Sequence, residues 1–313
     1  MKQSAENVVF NLLFLLGRAV VPPMPRRLVT ALARACGSLA AALPLHVTRV
    51  ARSNLQLALP ELSPARRRYI LRGSFSSLAL TVLDLFWMAA GDGRRLRRYV
   101  RLDPSMRVVL RPGAMVCLTA HFGNWEILGQ ILPLQGFPIV SVSATTPSAA
   151  LDRRITALRS RVGQQVVAQD GAARSLLAAL RRGEKIGLLL DQNTRPDEGG
   201  TFVSFFGRPV PVSLLPAVLA IRTASPVVVG FGIPEWKSGT YRALARTVAD
   251  EETVKGLRPE ESPLLLEKVM QAYEDQIRRR PECWLWAYKR WKHVPEPHRL
   301  DQFPFYAKRY PGR

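Results

Sequence analysis

The feature that constrains the fold most is an alternation of strand-length apolar runs with helical patterns after about residue 107. Strands are predicted over 115–119, 138–142, 165–167, 185–190 and 226–230, and an edge strand over 241–248. Helices are predicted over 152–162, 172–182 and 214–222, and a last one from Ser262 onward. This alternation is typical of an α/β fold whose largely parallel sheet is flanked by helices. Active sites in such sheets form at the carboxyl ends of the strands.

The region before this alternation is predicted to be helical and apolar. Its first apolar run, 8–16, is shorter than the roughly 20 residues that a spanning helix needs. We interpret residues 1–25 as a membrane anchor, either tilted across the bilayer or lying in its interface, with a buried N-terminal helix as the alternative. Residues 26–105 are predicted to form a helical membrane-proximal region, and 106–313 the α/β core with a C-terminal helix. In the second region Leu28, Leu32, Cys36, Leu39 and Leu43 recur at helical spacing.

The charge balance restricts the partners only loosely. Lys and Arg number 45 against 24 Asp and Glu, a formal net charge of +21. Nucleic acid, anionic membrane and acidic substrates are all compatible with that charge. A nucleic-acid partner is disfavoured because three of the six tryptophans cluster near an apolar helix and no binding motif is present. The three cysteines are predicted to be buried free thiols, and no metal-ligand spacing is present, so neither a metal nor a cofactor is expected.

One short stretch carries the chemistry, namely His121-Phe122-Gly123-Asn124-Trp125-Glu126. Its histidine follows a predicted strand, Gly123 permits a tight turn, and Asn124 is a suitable helix N-cap. An ionised Glu126 in the first helical turn could hydrogen-bond one ring nitrogen and raise the basicity of the other. The alternative is a structural histidine that caps a strand end. A second polar residue, Asp191, follows the strand predicted over 185–190.

A general base without an enzyme nucleophile suits direct attack by a substrate hydroxyl on an activated acyl group. The sequence has no G-x-S-x-G elbow and no Walker A loop. The tetrahedral oxyanion would then need backbone N–H groups or a cation. Arg159 and Arg161 are candidates for that cation, although either could equally be a surface charge.

The motif and several other stretches resemble the late acyltransferases of lipid A biosynthesis, lauroyl or myristoyl transferases within the lysophospholipid acyltransferase superfamily. The motif is similar to their H-x4-D/E signature. The other matching stretches are Asn54-Leu55, Pro60-Glu61-Leu62, Leu190-Asp191-Gln192, 202–207, 281–286 and Arg290-Trp291-Lys292. The resemblance extends from about residue 8 to 292. Two positions depart from the family pattern: Asn193 replaces an acidic residue that many members carry, and Tyr288 replaces a frequent histidine.

The resemblance implies a glycerolipid acyltransferase-like fold and transfer of a fatty acyl chain from acyl carrier protein to a hydroxyl of a lipid A precursor. It implies His121 as the general base, Glu126 as its orienting carboxylate and Asp191 as a pocket residue. Asn124, Arg159 and Arg161 are further candidates for substrate or oxyanion binding. The expected partners are acyl carrier protein, an anionic glycolipid and the cytoplasmic face of the inner membrane. An acyltransferase for another glycolipid or lysophospholipid, with acyl-CoA as donor, and a non-catalytic basic membrane- or nucleic-acid-binding protein are the alternatives.

Overall fold

The computed structural model describes residues 11–12, 14–143 and 149–311. A seven-stranded sheet forms its centre, with the spatial order β1-β9-β8-β2-β5-β3-β4. Its strands are β1 (Val100–Leu102), β2 (Met115–Thr119), β3 (Ile139–Ser143), β4 (Gln165–Ala168), β5 (Lys185–Leu189), β8 (Val227–Glu235) and β9 (Thr240–Ala249). All neighbouring strands are parallel except β8 and β9. Two small sheets pair β6 (Gly200–Phe205) with β7 (Arg208–Ser213), and β10 (His293–Val294) with β11 (Lys308–Arg309).

Helices precede the sheet in the chain and then cover both of its faces. They are α1 (Arg26–Ala42), α2 (His46–Ala58), α3 (Pro64–Trp87), α4 (Arg94–Tyr99), α5 (Glu126–Leu134), α6 (Ala149–Ser160), α7 (Ala172–Arg181), α8 (Leu215–Thr223), α9 (Glu251–Lys255) and α10 (Ser262–Arg279). Because successive side chains of a strand point to opposite faces, β2 contributes to two cores. Val116 and Leu118 pack in one core and Met115 in the other.

The predicted α/β class and largely parallel sheet are confirmed, and one detail of the sheet prediction is wrong. The segment predicted as an edge strand over 241–248 is β9, which lies inside the sheet between β8 and β1. The edge position belongs instead to β1, whose three residues pair in parallel with Tyr241, Arg242 and Ala243. This strand is too short to produce a periodic signal in the sequence.

The apolar stripe of α1 faces outward. Leu28, Leu32, Leu39 and Leu43 are 36–63% exposed. The opposite face, with Val29, Ala33, Gly37 and Ala41, is buried against the protein. Gly37 allows this close approach, because a Cβ atom there would lie 2.2 Å from Ser76 Oγ in α3. The exposed stripe also includes Cys36, so the prediction of buried thiols is wrong for that residue; Cys117 is half-buried and Cys283 is buried.

The predicted anchor, 1–25, lies partly outside the described residues, which exclude 1–10 and 13. Residues 14–20 are helical, with Phe14 buried against Phe86 of α3 at a ring-centroid distance of 5.2 Å. Within the described residues, α3 is the helix long and apolar enough to cross a membrane, and over half of its apolar window is buried in the protein. Helices α1 and α2 would meet the same criterion together, but they meet at 85°. Helix α3 is therefore explained as a core helix.

Candidate active site

The register of two neighbouring strands brings His121 and Asp191 together. In the parallel pair β2–β5, Met115 lies opposite Lys185 and Thr119 opposite Leu189. Two further residues along each strand lead to His121 and Asp191. The backbone N–H of His121 donates to Asp191 Oδ2 and the ring Nδ1 lies at hydrogen-bonding distance from Oδ1, each at 2.8 Å. Asp191 thus engages His121 through both carboxylate oxygens.

The contacts of Asp191 determine which ring nitrogen of His121 is free. Oδ2 also accepts a hydrogen bond of 2.9 Å from the indole N–H of Trp284. Burial raises the pKa of Asp191, but the charge and hydrogen bonds of His121 and the Trp284 bond outweigh it and hold the pKa below its ordinary value. An ionised carboxylate only accepts hydrogen bonds, so Nδ1 of His121 carries the hydrogen and Nε2 carries the lone pair.

The same neighbours make the His121 ring a stronger base. Burial alone lowers the pKa of His121, but the charge and hydrogen bond of Asp191, together with the charge of Glu126, raise it above the ordinary value. The side chain keeps 18% of its surface exposed, so the ring remains accessible. Trp125 packs edge-on against the ring at a centroid distance of 4.7 Å and restricts its orientation.

The turn that carries His121 is held by distant parts of the chain. Gly123 donates to Cys283 O at 2.8 Å, and Leu285 donates to His121 O at 2.9 Å. Gly123 has φ +57°, and a Cβ atom there would lie 2.0 Å from Gly232 O. Only glycine satisfies both conditions. The tight turn predicted at Gly123 is therefore present, and the C-terminal segment fixes it.

Glu126 makes a different contact from the predicted one. It begins α5, as predicted, but no hydrogen bond or ion pair joins it to His121 among the described residues, and Asp191 is the carboxylate that binds the ring. Glu126 instead forms a two-point ion pair with Arg159 of α6, with Nε–Oε2 at 2.8 Å and Nη2–Oε1 at 2.7 Å. The tight turn at Gly123 lies between His121 and Glu126, so the Glu126 side chain points towards α6. Burial lowers the pKa of Arg159, but the Glu126 charge outweighs it.

The other two candidates lie away from His121. Asn124 is not the N-cap of α5, which is Trp125. Its side chain is 1% exposed and forms a hydrogen bond that favours the ionised form of Asp84. Asp84 pairs with Arg26 and accepts from Tyr241 in a buried network. Arg161 is exposed and donates to Ala89 O at 3.4 Å. The structure therefore brings Arg159, but not Asn124 or Arg161, into the site.

A mainly apolar cavity opens beside this site, between α5 and the sheet. It holds about 760 Å³ of space when its open mouth is included. Trp125, Glu126, Arg159 and Gln164 form its polar part. Its walls cross the sheet from β3 and β5 to β8 and β9, where many side chains are small or absent: Cys117, Thr119, Ser141, Gly187, Gly230 and Ala245. Such a space suits a flexible apolar chain whose polar end stays near Glu126.

Sequence reasoning did not identify Trp284 and Arg290 as parts of the site. Trp284 contacts Asp191 directly, and Arg290 donates to Asn193, two residues beyond Asp191. The clustering of tryptophans in 284–291 was a signal that this segment is buried, but it did not indicate which residues the segment contacts. Within the described residues, no group of three or more His, Cys, Asp or Glu side chains is arranged to hold a metal ion.

Comparison with known proteins gives a consistent result over nearly the whole chain. The model of the family of bacterial lipid A biosynthesis acyltransferases matches residues 5–293. The chain is 20% identical over 249 residues, 79% of each protein, to the lipid A biosynthesis palmitoleoyltransferase of Escherichia coli (strain K12). It is 23% identical over 160 residues, half of each protein, to the lipid A biosynthesis acyltransferase of Haemophilus influenzae. The chain therefore belongs to the bacterial lipid A biosynthesis acyltransferase family, and it is an acyltransferase.

Proposed function

We propose that this enzyme transfers a fatty acyl chain from the thioester of acyl carrier protein to a hydroxyl of a lipid A precursor. The observation that carries the proposal is the His121–Asp191 pair next to a mainly apolar cavity. The names of the relatives support lipid A as the acceptor class.

In the proposed reaction His121 acts on the acceptor. Its Nε2 takes the proton of the acceptor hydroxyl while the oxygen attacks the thioester carbonyl, and the imidazolium is stabilised by Asp191. The tetrahedral intermediate then breaks its C–S bond, and His121 returns the proton to the departing thiolate. The products are an ester and a free thiol, and the enzyme supplies no nucleophile of its own.

The Glu126–Arg159 pair is proposed to act on the carbonyl end of the donor. Both residues contribute to the wall of the cavity near Trp125, which contacts the His121 ring. The Arg159 guanidinium can stabilise the negative charge that develops on the carbonyl oxygen, because a partly buried cation acts strongly in a low-dielectric site. Glu126 holds that guanidinium through two hydrogen bonds and adds negative charge near His121. Glu126 therefore orients Arg159 rather than the imidazole.

The partners are inferred from charge. A formal net charge of +21 favours an acidic carrier protein as donor and a phosphate-bearing glycolipid as acceptor. Acyl-CoA is the alternative donor, since its phosphates would be attracted by the same surface. A side-by-side assay of both thioesters with the same acyl chain separates the two, and equal kcat/KM values would contradict a specific carrier protein.

Membrane association is proposed through the outward apolar faces near the N-terminus, with 1–25 as the anchor and the enzyme on the cytoplasmic face of the inner membrane. The exposed apolar residues there are Leu12, Leu15, Leu16, Val20, Leu28, Leu32, Leu39, Leu43, Leu45 and Val47. Clustered exposed apolar side chains near arginines are typical of surfaces that enter an anionic lipid interface. Vesicle flotation tests this proposal: replacing Leu28, Leu39 and Leu43 by serine should weaken binding, whereas the same change at exposed Leu264 and Leu300 should not. Equal binding by both variants would contradict the proposal for α1.

The experiment that tests the reaction uses His121→Ala and Asp191→Asn with His298→Ala as the matched control. General-base catalysis is typically worth about 10²–10⁴-fold, so we expect losses in this range for His121→Ala. Asp191→Asn should also be severely impaired, since the neutral amide no longer fixes the tautomer of His121. The acid limb of the wild-type profile should lie above about pH 6.5 because the base must be unprotonated and its pKa is raised. Activity within a few-fold of wild type in folded His121→Ala would contradict the proposed role.

A further inference from the structure

A buried arginine lies behind the His121–Asp191 pair. Arg290 has no exposed surface. Its Nη1 donates to Asn193 Oδ1 at 2.7 Å and to Pro211 O at 2.9 Å, whereas Nη2 lies 3.9 Å from Met270 Sδ. Nε has no hydrogen-bond partner in the part of the chain that the structure describes. No carboxylate of the described residues forms an ion pair with this guanidinium, which is unusual because a buried charge is costly when no counter-charge compensates it.

Asp191 is the carboxylate whose charge acts on Arg290. Burial lowers the pKa of Arg290 to about 10, and the charge of Asp191 partly opposes this effect. The two residues are also linked through the chain, since Asn193 lies two positions after Asp191. The backbone N–H of Asn193 donates to the Tyr288 hydroxyl at 3.0 Å and its Nδ2 donates to Lys289 O at 3.0 Å. The segment that carries Arg290 therefore holds the residues that follow Asp191 in one position.

The charges around His121 form two matched sets. Asp191, from the end of β5, and Glu126, from the start of α5, both favour a proton on the ring. A guanidinium acts on each carboxylate: Arg159 binds Glu126 directly, whereas Arg290 binds Asn193, two residues after Asp191, and is influenced by the charge of Asp191. The other titratable groups near these charges are Asp152, whose charge acts on Arg159, and the phenols of Tyr273, which donates to Thr119 O, and of Tyr288 and Tyr306 near Arg290. Two carboxylates without nearby cations would favour the protonated form of the His121 ring. The positive charges of Arg159 and Arg290 limit this effect.

We propose that Arg290 is a positioning residue for the general base. Its bond to Asn193 fixes the turn after β5, and its buried cation opposes the charge of Asp191 and so limits how firmly His121 retains a proton. The proposal rests on the proposed function, in which His121 must be unprotonated to accept the hydroxyl proton. Arg290 touches neither His121 nor the cavity, so it acts only through Asp191 and Asn193.

The test is the pH dependence of Arg290→Met and Arg290→Lys, with Arg182→Met as the control for losing one exposed positive charge. Removing a nearby cation favours the protonated ring, so Arg290→Met should move the acid limb of kcat/KM upward by about half a unit or more. Arg290→Lys keeps the cation, and its limb should stay near that of the wild type even if the rate falls at every pH. Arg182→Met, on an exposed surface, should leave the profile unchanged.

A second variant keeps the test valid if Arg290→Met does not fold. Asn193→Asp keeps the size of the side chain and loses the hydrogen bond from Nδ2 to Lys289 O, but it places a carboxylate against Nη1 of Arg290, which neutralises the cation locally. Its acid limb should also move upward. Titration of the His121 ring by NMR, without substrates, should show the same order of pKa values. That readout separates two failures: an unchanged His121 pKa in both folded variants would overturn the role of Arg290, whereas an active His121→Ala would overturn the proposed function.

Discussion

The cavity between α5 and the sheet makes a sharp prediction at Gly230. This residue lies in the middle of β8, opposite Ala245 of β9, and lines the cavity. A Cβ atom built there would meet Leu128 Cδ1 at 3.6 Å and Leu244 O at 3.8 Å, both ordinary contacts. Valine therefore fits the backbone, and its β-branched side chain suits a strand. Gly230→Val should fold normally and lose cavity space.

The expected size follows from the carbons that are added. Valine places three side-chain carbons in the cavity and so displaces up to about three methylenes of an acyl chain that extends past β8. Each methylene is worth about 0.8 kcal/mol of apolar burial. The loss for a long donor is then roughly 2–2.5 kcal/mol, or about 30- to 70-fold in kcat/KM. A donor whose chain ends before β8 should lose almost nothing.

The assay measures kcat/KM for a series of saturated acyl donors of increasing length on the wild type and Gly230→Val. The preferred length should become shorter in the variant. Val229→Ala is the matched control, because Val229 belongs to the core on the other face of the same strand. This control should lower stability without changing chain-length preference. An equal loss for donors of all lengths, or an unchanged preference in folded Gly230→Val, would refute the assignment of the cavity to the acyl chain.

Three further substitutions test how the site is held. Gly123→Ala should abolish acyl transfer and lower the Tm, because its Cβ would lie 2.0 Å from a carbonyl oxygen of β8; a fully active variant would contradict this reasoning. Arg26→Met leaves Asp84 buried without its cation and should reduce the free energy of unfolding by about 3–5 kcal/mol in urea titrations. Trp284→Phe keeps the aromatic packing but loses the hydrogen bond to Asp191, so kcat should fall about tenfold while the Tm changes little.

The sequence predicted the parts of the fold and of the site that depend on local pattern. Strand–helix alternation predicted the parallel sheet, and the position of His121 after an apolar run placed it at a strand end. Asp191 was also placed at a strand end near His121, but Glu126 was predicted as the carboxylate that binds the ring. The bond between Asp191 and the ring depends on β2 lying next to β5 in one particular register, which a single sequence does not specify. The spacing between His121 and Glu126 suggested a contact that the turn at Gly123 prevents.

The outward stripe of α1 accounts for the wrong prediction that Cys36 is buried. Leucines at helical spacing usually mark the face of a helix that packs on the core. In α1 the core face is instead made of small residues, because Gly37 and its neighbours allow α1 to approach α3 closely. Because both faces of α1 are apolar, the outer face needs a second apolar environment besides the protein core. That pattern supports the proposed lipid interface better than a count of leucines does.

The site depends most on the last thirty or so residues of the described chain. The last strand of the central sheet is β9, but contacts that hold the site come from 281–291, which follows it. This segment supplies the third hydrogen-bond donor to Asp191 and the backbone hydrogen bonds that hold the His121 turn. It also supplies the hydrogen bond that holds the turn after β5. These contacts connect residues 93 to 164 positions apart. Contacts of such long sequence separation require that the intervening chain is already folded between them. The geometry of the base therefore requires the whole fold, which explains why the aromatic segment is buried so thoroughly although it contributes no strand to the central sheet.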